Sequence, residues 1–223
     1  MYVSVLHPVN EKTTSRDLLR TRAYREIKEM ILRERVIPGS FLSKRALAKQ
    51  LDMSPTPVHS ALERLEAEGF VRISPQQGIV VREFSIEEVA DFFEFRLAIE
   101  SFVIRDLAGN LTSYQRKRLR GNLKAQSECA RQGDVDGFTR EDAAFHHLIC
   151  EFHGNGQIVA SMTDLMEKLY RVARTVSTRV ADRPTTAYRE HKAIADAVIA
   201  GDGEKAVERL AEHIGYGKRV LIS

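Results

Sequence analysis

The stretch Leu47-Ala48-Lys49-Gln50-Leu51-Asp52-Met53-Ser54-Pro55-Thr56-Pro57-Val58-His59-Ser60-Ala61-Leu62-Glu63-Arg64-Leu65-Glu66-Ala67-Glu68-Gly69-Phe70-Val71 decides how the front of the chain folds. Ala46, Leu47 and Leu51 form one face of a short helix, and Ser43 has N-cap character. Asp52-Met53-Ser54 reads as a turn. Pro55 suits the first position of the next helix, where its missing N–H would be an orphan anyway, and Pro57 still lies in the first turn. Val58, Ala61, Leu62 and Leu65 give that helix its core stripe, and Gly69 stops it. Phe70–Ile73 and Ile79–Arg82 then predict two short strands around Ser74-Pro75-Gln76-Gln77-Gly78, a β-wing.

Upstream, Leu18, Leu19, Ala23, Ile27, Met30 and Ile31 recur at helical spacing from Asp17 to about Arg35, and Ile37-Pro38-Gly39-Ser40 ends that helix. Residues 1–16 carry no periodicity and read as a loose arm. Helix, short helix, turn, helix and wing, over residues 17–83, is the order of a winged helix-turn-helix. A helix fits the major groove and offers its N-terminal side chains to base edges. Charge agrees. The chain of 223 residues has a net charge of +3, but residues 1–83 hold 14 Lys and Arg against 10 Asp and Glu, whereas the remainder holds 20 against 21. A basic excess confined to one end suits phosphate contact.

From Ser85 onward strand signals disappear. Six helical stretches are expected, at about 85–108, 112–132, 135–152, 156–180, 185–200 and 203–220, separated by Gly109-Asn110, Gly133-Asp134, Gly154-Asn155-Gly156, Arg183-Pro184 and Gly201-Asp202-Gly203. Connections this short make neighbours antiparallel. The expectation is a mainly α protein, with the winged module followed by an all-α antiparallel six-helix bundle over residues 84–223. Hydrophobic residues make up 43% and charged residues 29%, an ordinary globular balance, and no apolar run is long enough to span a bilayer. Cys129 and Cys150 form no framework and read as reduced thiols of a cytoplasmic protein.

Four polar residues fall on inward stripes of the bundle. Asp142 and His146 share one helix face with Phe145 and Ile149; His191 lies with Ile194, Ala195 and Val198; His213 lies with Ala206, Leu210 and Ile214. Bundle cores build metal sites from facing helices, and imidazoles with one carboxylate suit zinc, nickel, manganese or a similar divalent ion. Spacing alone leaves open both this reading and ordinary packed core histidines.

The 47–71 run, followed by Gln77-Gly78 and Val80-Val81, resembles the GntR family of bacterial transcription regulators. Its Thr-Pro-Val, Ala-Leu-x-Arg-Leu and Glu-Gly-Phe-Val pieces occur in order at family spacing. Phe93-Glu94-Phe95-Arg96…Glu100, Asp142-x-x-Phe145-His146, Gly154-Asn155, Glu190-His191-Lys192-Ala193-Ile194, Gly201-Asp202…Ala206 and His213-Ile214 resemble the FCD effector domain of the FadR subfamily, and six helices rather than seven match its VanR-like branch. The resemblance implies that Asp142, His146, His191 and His213 bind a divalent metal. It also implies a small carboxylate effector in the bundle cavity, with Arg96 lining it, or instead paired with Glu94 or Glu100. Arg171 and Arg174 are weaker candidates of that kind. His147 and His153 fall outside the motif.

On the DNA side, Arg45 matches a contacting arginine of the family, whereas the two arginines usual on the recognition helix are Pro55 and His59 here. Neither can make a bidentate guanine contact. Thr56, His59, Ser60, Arg64, Gln77 and Gly78, with Arg72 and Gln76, remain candidates. The implied function is a homodimeric regulator that binds a double-stranded operator and responds to its effector. Phe92, Phe93, Phe95, Phe102 and Val103 offer an interface. A metal-dependent enzyme fused to a winged domain is the alternative. It would need a positioned general base, and no HExxH-type motif is present.

Overall fold

A computed structural model describes residues 15–33, 35–74 and 78–222. Residues 1–14 of the expected arm lie outside the described residues, as do Pro75, Gln76 and Gln77 of the wing. The chain divides into two compact units between Glu83 and Phe84.

The first unit runs α1 (Ser15–Leu32), β1 (Phe41–Leu42), α2 (Lys44–Gln50), α3 (Pro55–Ala67), β2 (Val71–Ser74) and β3 (Gly78–Val81). Ala23, Ile27 and Ile31 of α1 meet Val58, Ala61, Leu62 and Leu65 of α3 in a core that also takes Leu47, Phe70 and Val81. Ser43 caps α2 by accepting from the Ala46 N–H, and Asp52 turns between α2 and α3 with φ +51°. That left-handed conformation is one that Asp tolerates better than most residues. Lys28 and Tyr24 of α1 both donate to Glu68, at 2.8 and 2.7 Å, and tie α1 to the end of α3.

The sheet has the order β1-β3-β2 and is antiparallel throughout, with Phe41 opposite Val80 and Val71 opposite Val81. Strand β1 was not expected from the sequence. Two residues are too few to show alternation, and the strand exists only through its pairing with the distant β3. α1 also begins two residues before the expected Asp17, because Ser15 and Arg16 add no apolar signal.

The second unit holds α4 (Ile86–Leu107), α5 (Ser113–Gln132), α6 (Val135–His153), α7 (Gly156–Arg179), α8 (Arg183–Ala200) and α9 (Gly203–Ile222). These are the six expected helices. Ser85 and Glu88 form a reciprocal capping box at the start of α4, and Thr112 and Gln115 form another at α5. α8 begins at Arg183, earlier than expected, because Pro184 sits in its first turn, where no hydrogen bond is lost. Gly109 and Gly201, with φ of +78° and +85°, meet backbone to backbone at the ends of α4 and α8. The Gly109 N–H donates to the Val198 carbonyl there at 3.0 Å.

Phe145 and Ile149 of α6, Ile194 and Val198 of α8, Leu210 and Ile214 of α9, and Ile104 of α4 build one apolar core. Its centre is not apolar. Glu100, Gln126, His146 and His191 are 0% exposed within it. Burying such groups is costly unless each is paired, so their partners carry the functional argument. Among the described residues no helix is long and apolar enough to cross a membrane, and both cysteines are free thiols.

Candidate functional site

The N-terminal ends of α2 and α3 leave Arg45, Thr56 and His59 exposed and Ser60 half-buried, while Pro57 and Val58 turn inward. His59 Nε2 lies 3.4 Å from Glu63 Oε1 on the outer face of α3. Arg72 and Gly78 are exposed at the wing; Gln76 and Gln77 lie outside the described residues. Arg64 is engaged within the unit. It donates to Glu68 at 2.9 Å, and its guanidinium lies 3.7 Å from the centre of the Tyr24 ring.

In the helical unit Asp142, His146, His191 and His213 converge. One ligand atom from each lies within 4.8 Å of all the others. His191 Nε2 is 3.2 Å from His146 Nε2, 3.1 Å from His213 Nε2 and 3.5 Å from Asp142 Oδ1. Phe145, between Asp142 and His146 on α6, stacks on the His191 ring with centroids 4.5 Å apart.

The opposite nitrogen of each ring is taken. His146 Nδ1 donates to Glu100 Oε2 at 2.6 Å, His191 Nδ1 to Gln126 Oε1 at 2.7 Å, and His213 Nδ1 to Glu190 Oε2 at 2.7 Å. A ring with its proton on Nδ1 leaves its Nε2 lone pair for a metal, and the Nε2 atoms of His146 and His213 both lie beside that of His191. Lone pairs 3.1–3.2 Å apart repel one another unless a cation lies between them. Donors ~2.1 Å from an ion, at angles of about 90–110°, lie about 3.0–3.4 Å apart. The donor set suits a divalent metal in its chemistry, and the three distances from His191 suit it in spacing.

Electrostatics favour the ligand form. Burial, then the neighbouring His213 and His146, push His191 well below the usual imidazole value. Burial also takes His213 down to about 4, against the pull of Glu190. Both rings are neutral near pH 7. Burial opposes ionisation of Glu100, but His146 and Arg96 outweigh it and leave its carboxyl at about 2. At Glu190 burial is likewise outweighed, by hydrogen bonds from His213 and Arg183, leaving about 2.

Arg96 donates through Nε to Glu100 Oε1 at 2.8 Å, so the pairing with Glu100 exists. Its Nη2, however, is buried with no hydrogen-bond partner. Arg96 lines a cavity of about 40 Å3 together with Asp142, Ser177, Arg183 and His213. Arg174 instead donates to Asp136, and Arg171 lies over Phe84, so neither lines this cavity. His147 contacts Thr163, away from the cluster.

Four residues of the centre were not assigned roles there from the sequence: Glu100, Gln126, Arg183 and Glu190. Arg183 reads as helix punctuation, yet it makes a paired contact with Glu190 at 2.8 and 2.8 Å and lies against Tyr216. The available signal for Gln126 is its place on the buried stripe of α5, with Leu119, Asn122 and Leu123.

A winged helix-turn-helix joined to a helical unit defines a class of DNA-binding protein. The family model described as bacterial regulatory proteins, gntR family, matches residues 19–81, and the FCD domain matches residues 91–216. The chain belongs to the GntR family of bacterial regulators, in its FCD-bearing form, and is a DNA-binding transcriptional regulator. It is 29% identical, over 92% of this chain and 84% of the relative, to an uncharacterized HTH-type transcriptional regulator of Streptomyces ambofaciens. It is 27% identical to the HTH-type transcriptional repressor RspR of Escherichia coli, over 86% of this chain and 83% of RspR. A putative GntR regulator from Rhodococcus sp. RHA1 shares the fold, with a TM-score of 0.81 at 20% identity, covering 94% of this chain and 98% of that one. These relatives are regulators rather than enzymes, which removes the fused-enzyme alternative.

Proposed function

We propose that this regulator is a homodimer of the FadR subfamily, VanR-like branch, whose operator affinity is set by a small organic acid bound beside a divalent metal. The Nε2 atoms of His146 and His213, 3.2 and 3.1 Å from that of His191, with each of the three rings backed by an acceptor on Nδ1, carry the metal reading. Asp142, His146, His191 and His213 are the proposed ligands, with zinc, nickel or manganese the fitting ions. The ion would supply fixed positive charge and an anchor for an anion.

The effector reading rests on Arg96 and on charge. Counting the imidazoles as uncharged metal ligands, Arg96 and Arg183 face Asp142, Glu100 and Glu190, a formal balance of one negative charge. A divalent ion turns it into one positive charge, which suits a monoanion. The unpartnered Arg96 Nη2 offers such an anion a donor. A water needs ~10–15 Å3 in the same measure, so a cavity of about 40 Å3 holds only a few heavy atoms as packed. A short carboxylate fits better than a long one.

For DNA, Arg45, Thr56, His59, Ser60 and the wing are the proposed contacts; Arg64 acts chiefly as a brace between α1 and α3. Dimerisation is assigned to the outer face of α4, where Phe95, Ala98 and Phe102 are exposed in one stripe; Phe93 and Val103, also expected at an interface, are instead buried in the core of the unit, and Phe92 packs against it. Such a protein would act in the cytoplasm.

The test is a gel-shift series on fragments flanking its own gene, with metal-loaded protein and a panel of short carboxylates. A salt-sensitive, specific complex that one carboxylate shifts is expected. Absence of any specific complex, or a complex indifferent to metal and to every acid, overturns the proposal.

A further inference from the structure

We infer that Gln126 is a positioning residue of the metal centre: with Asn122 and Glu141 it dictates which nitrogen of His191 faces the ion. The inference rests on the metal reading above. His146 and His213 are backed by carboxylates, which can only accept. His191 is backed by an amide, and an amide offers an oxygen on one side and an NH2 on the other. Were Gln126 turned the other way, its NH2 would face His191 Nδ1. The ring would then carry its proton on Nε2, aimed at the other imidazoles, and could not bind the ion.

A chain of contacts fixes the amide. Asn122 Nδ2 donates to the Glu141 backbone carbonyl at 2.9 Å and to Glu141 Oε2 at 2.8 Å. Both partners are acceptors, so the Asn122 amide has one possible sense. Its Oδ1 must then accept, and it accepts from Gln126 Nε2 at 2.7 Å. Gln126 Nε2 also lies 3.4 Å from the Glu141 carbonyl, a second acceptor. Gln126 Oε1 is therefore left for His191 Nδ1. The sense of the whole chain starts at a main-chain carbonyl, which cannot reverse. That carbonyl belongs to the residue next to Asp142, so one buried amide pair on α5 sets a ligand on α8 and braces the backbone beside a ligand on α6.

Buried amides whose every polar atom is matched cost little, whereas reversing one sets acceptor against acceptor. This distinguishes a positioning role from packing. A packing residue needs only volume; a positioning residue needs an acceptor at Oε1.

The experiment titrates Co2+, followed by its visible absorption and competed with Zn2+, into full-length wild type, Gln126→Met and Gln126→Glu. Gln126→Met keeps volume and loses the acceptor; it is expected to bind about 10–100-fold more weakly, with a changed spectrum. Gln126→Glu keeps the acceptor at Oε1 but sets its other oxygen against Asn122 Oδ1, and is expected to bind between the wild type and Gln126→Met. A folded Gln126→Met variant with wild-type affinity and spectrum overturns the inference, as does a folded Gln126→Glu variant that loses as much as Gln126→Met. A second measurement needs no variant. A long-range nitrogen–proton correlation spectrum of the metal-free wild type should show His191 with its proton on Nδ1, and a proton on Nε2 overturns the inference. Wild-type protein that takes up no Co2+ overturns the metal reading instead, and the tautomer then still decides the arrangement at His191.

Discussion

Arg96 shows how one side chain serves two ends. Its Nε holds the buried Glu100, which in turn holds His146, while Nη2 remains available to a ligand. Arg96→Lys keeps a cation beside Glu100 and loses the second donor. Hydrogen bonds to charged groups contribute about 1.5–3 kcal/mol, so effector affinity should fall by about tenfold to a hundredfold with metal content unchanged. Calorimetric titration of metal-loaded protein checks this, and equal affinity would make Arg96 purely structural. His213→Ala should abolish stoichiometric metal binding. Adding a chelator should lower the thermal midpoint of the wild type but not of this variant, because only binding to the folded state raises stability. At this scale the sequence is partly legible. The four converging side chains lie on helical stripes that periodicity reveals. Of the groups behind them, Glu100 is legible only as a partner of Arg96 four residues away, while Gln126 and Glu190 meet their histidines 65 and 23 residues away.

At the scale of elements, caps and turns decide where helices begin. The capping box of α4 satisfies two orphan N–H groups, at the Ser85 and Glu88 backbones. Ser85→Ala should destabilise the helical unit by about 1 kcal/mol, read from denaturant unfolding with an unchanged slope. Gly201→Ala should cost about 1 kcal/mol or more, since φ of +85° strains any side chain, although the space there admits a Cβ. Helix count, order and approximate ends follow from apolar spacing and Gly or Pro punctuation, and all six helices of the second unit were readable in that way. Strand β1 was not, since it owes its existence to β3 rather than to its own residues. The early start of α8 was missed for a related reason: Pro184 looks like a breaker until its place in the first turn is known.

For the whole molecule, the proposed dimer is the least legible part, because an apolar stripe on α4 names no partner by itself. Phe102 is 57% exposed there. Phe102→Glu would set like charges face to face across a two-fold contact. Sedimentation should then report a monomer of unchanged helical content, and operator affinity should collapse, since each half-site would be bound singly. A dimer that survives this change and Phe95→Glu together would place the interface elsewhere.

The pairing of β1 with β3 bears on the proposed regulation. Residues 41–42 run directly into Ser43, the cap of α2, so the wing strand β3 and α2 are tied together through β1. An effector acting on a reader tied in this way can move it bodily but cannot reshape its grip on individual bases. Selecting preferred sequences from a random pool, with and without the acid, should return the same consensus at different occupancy. A shift in the bases chosen would mean that the tie gives way.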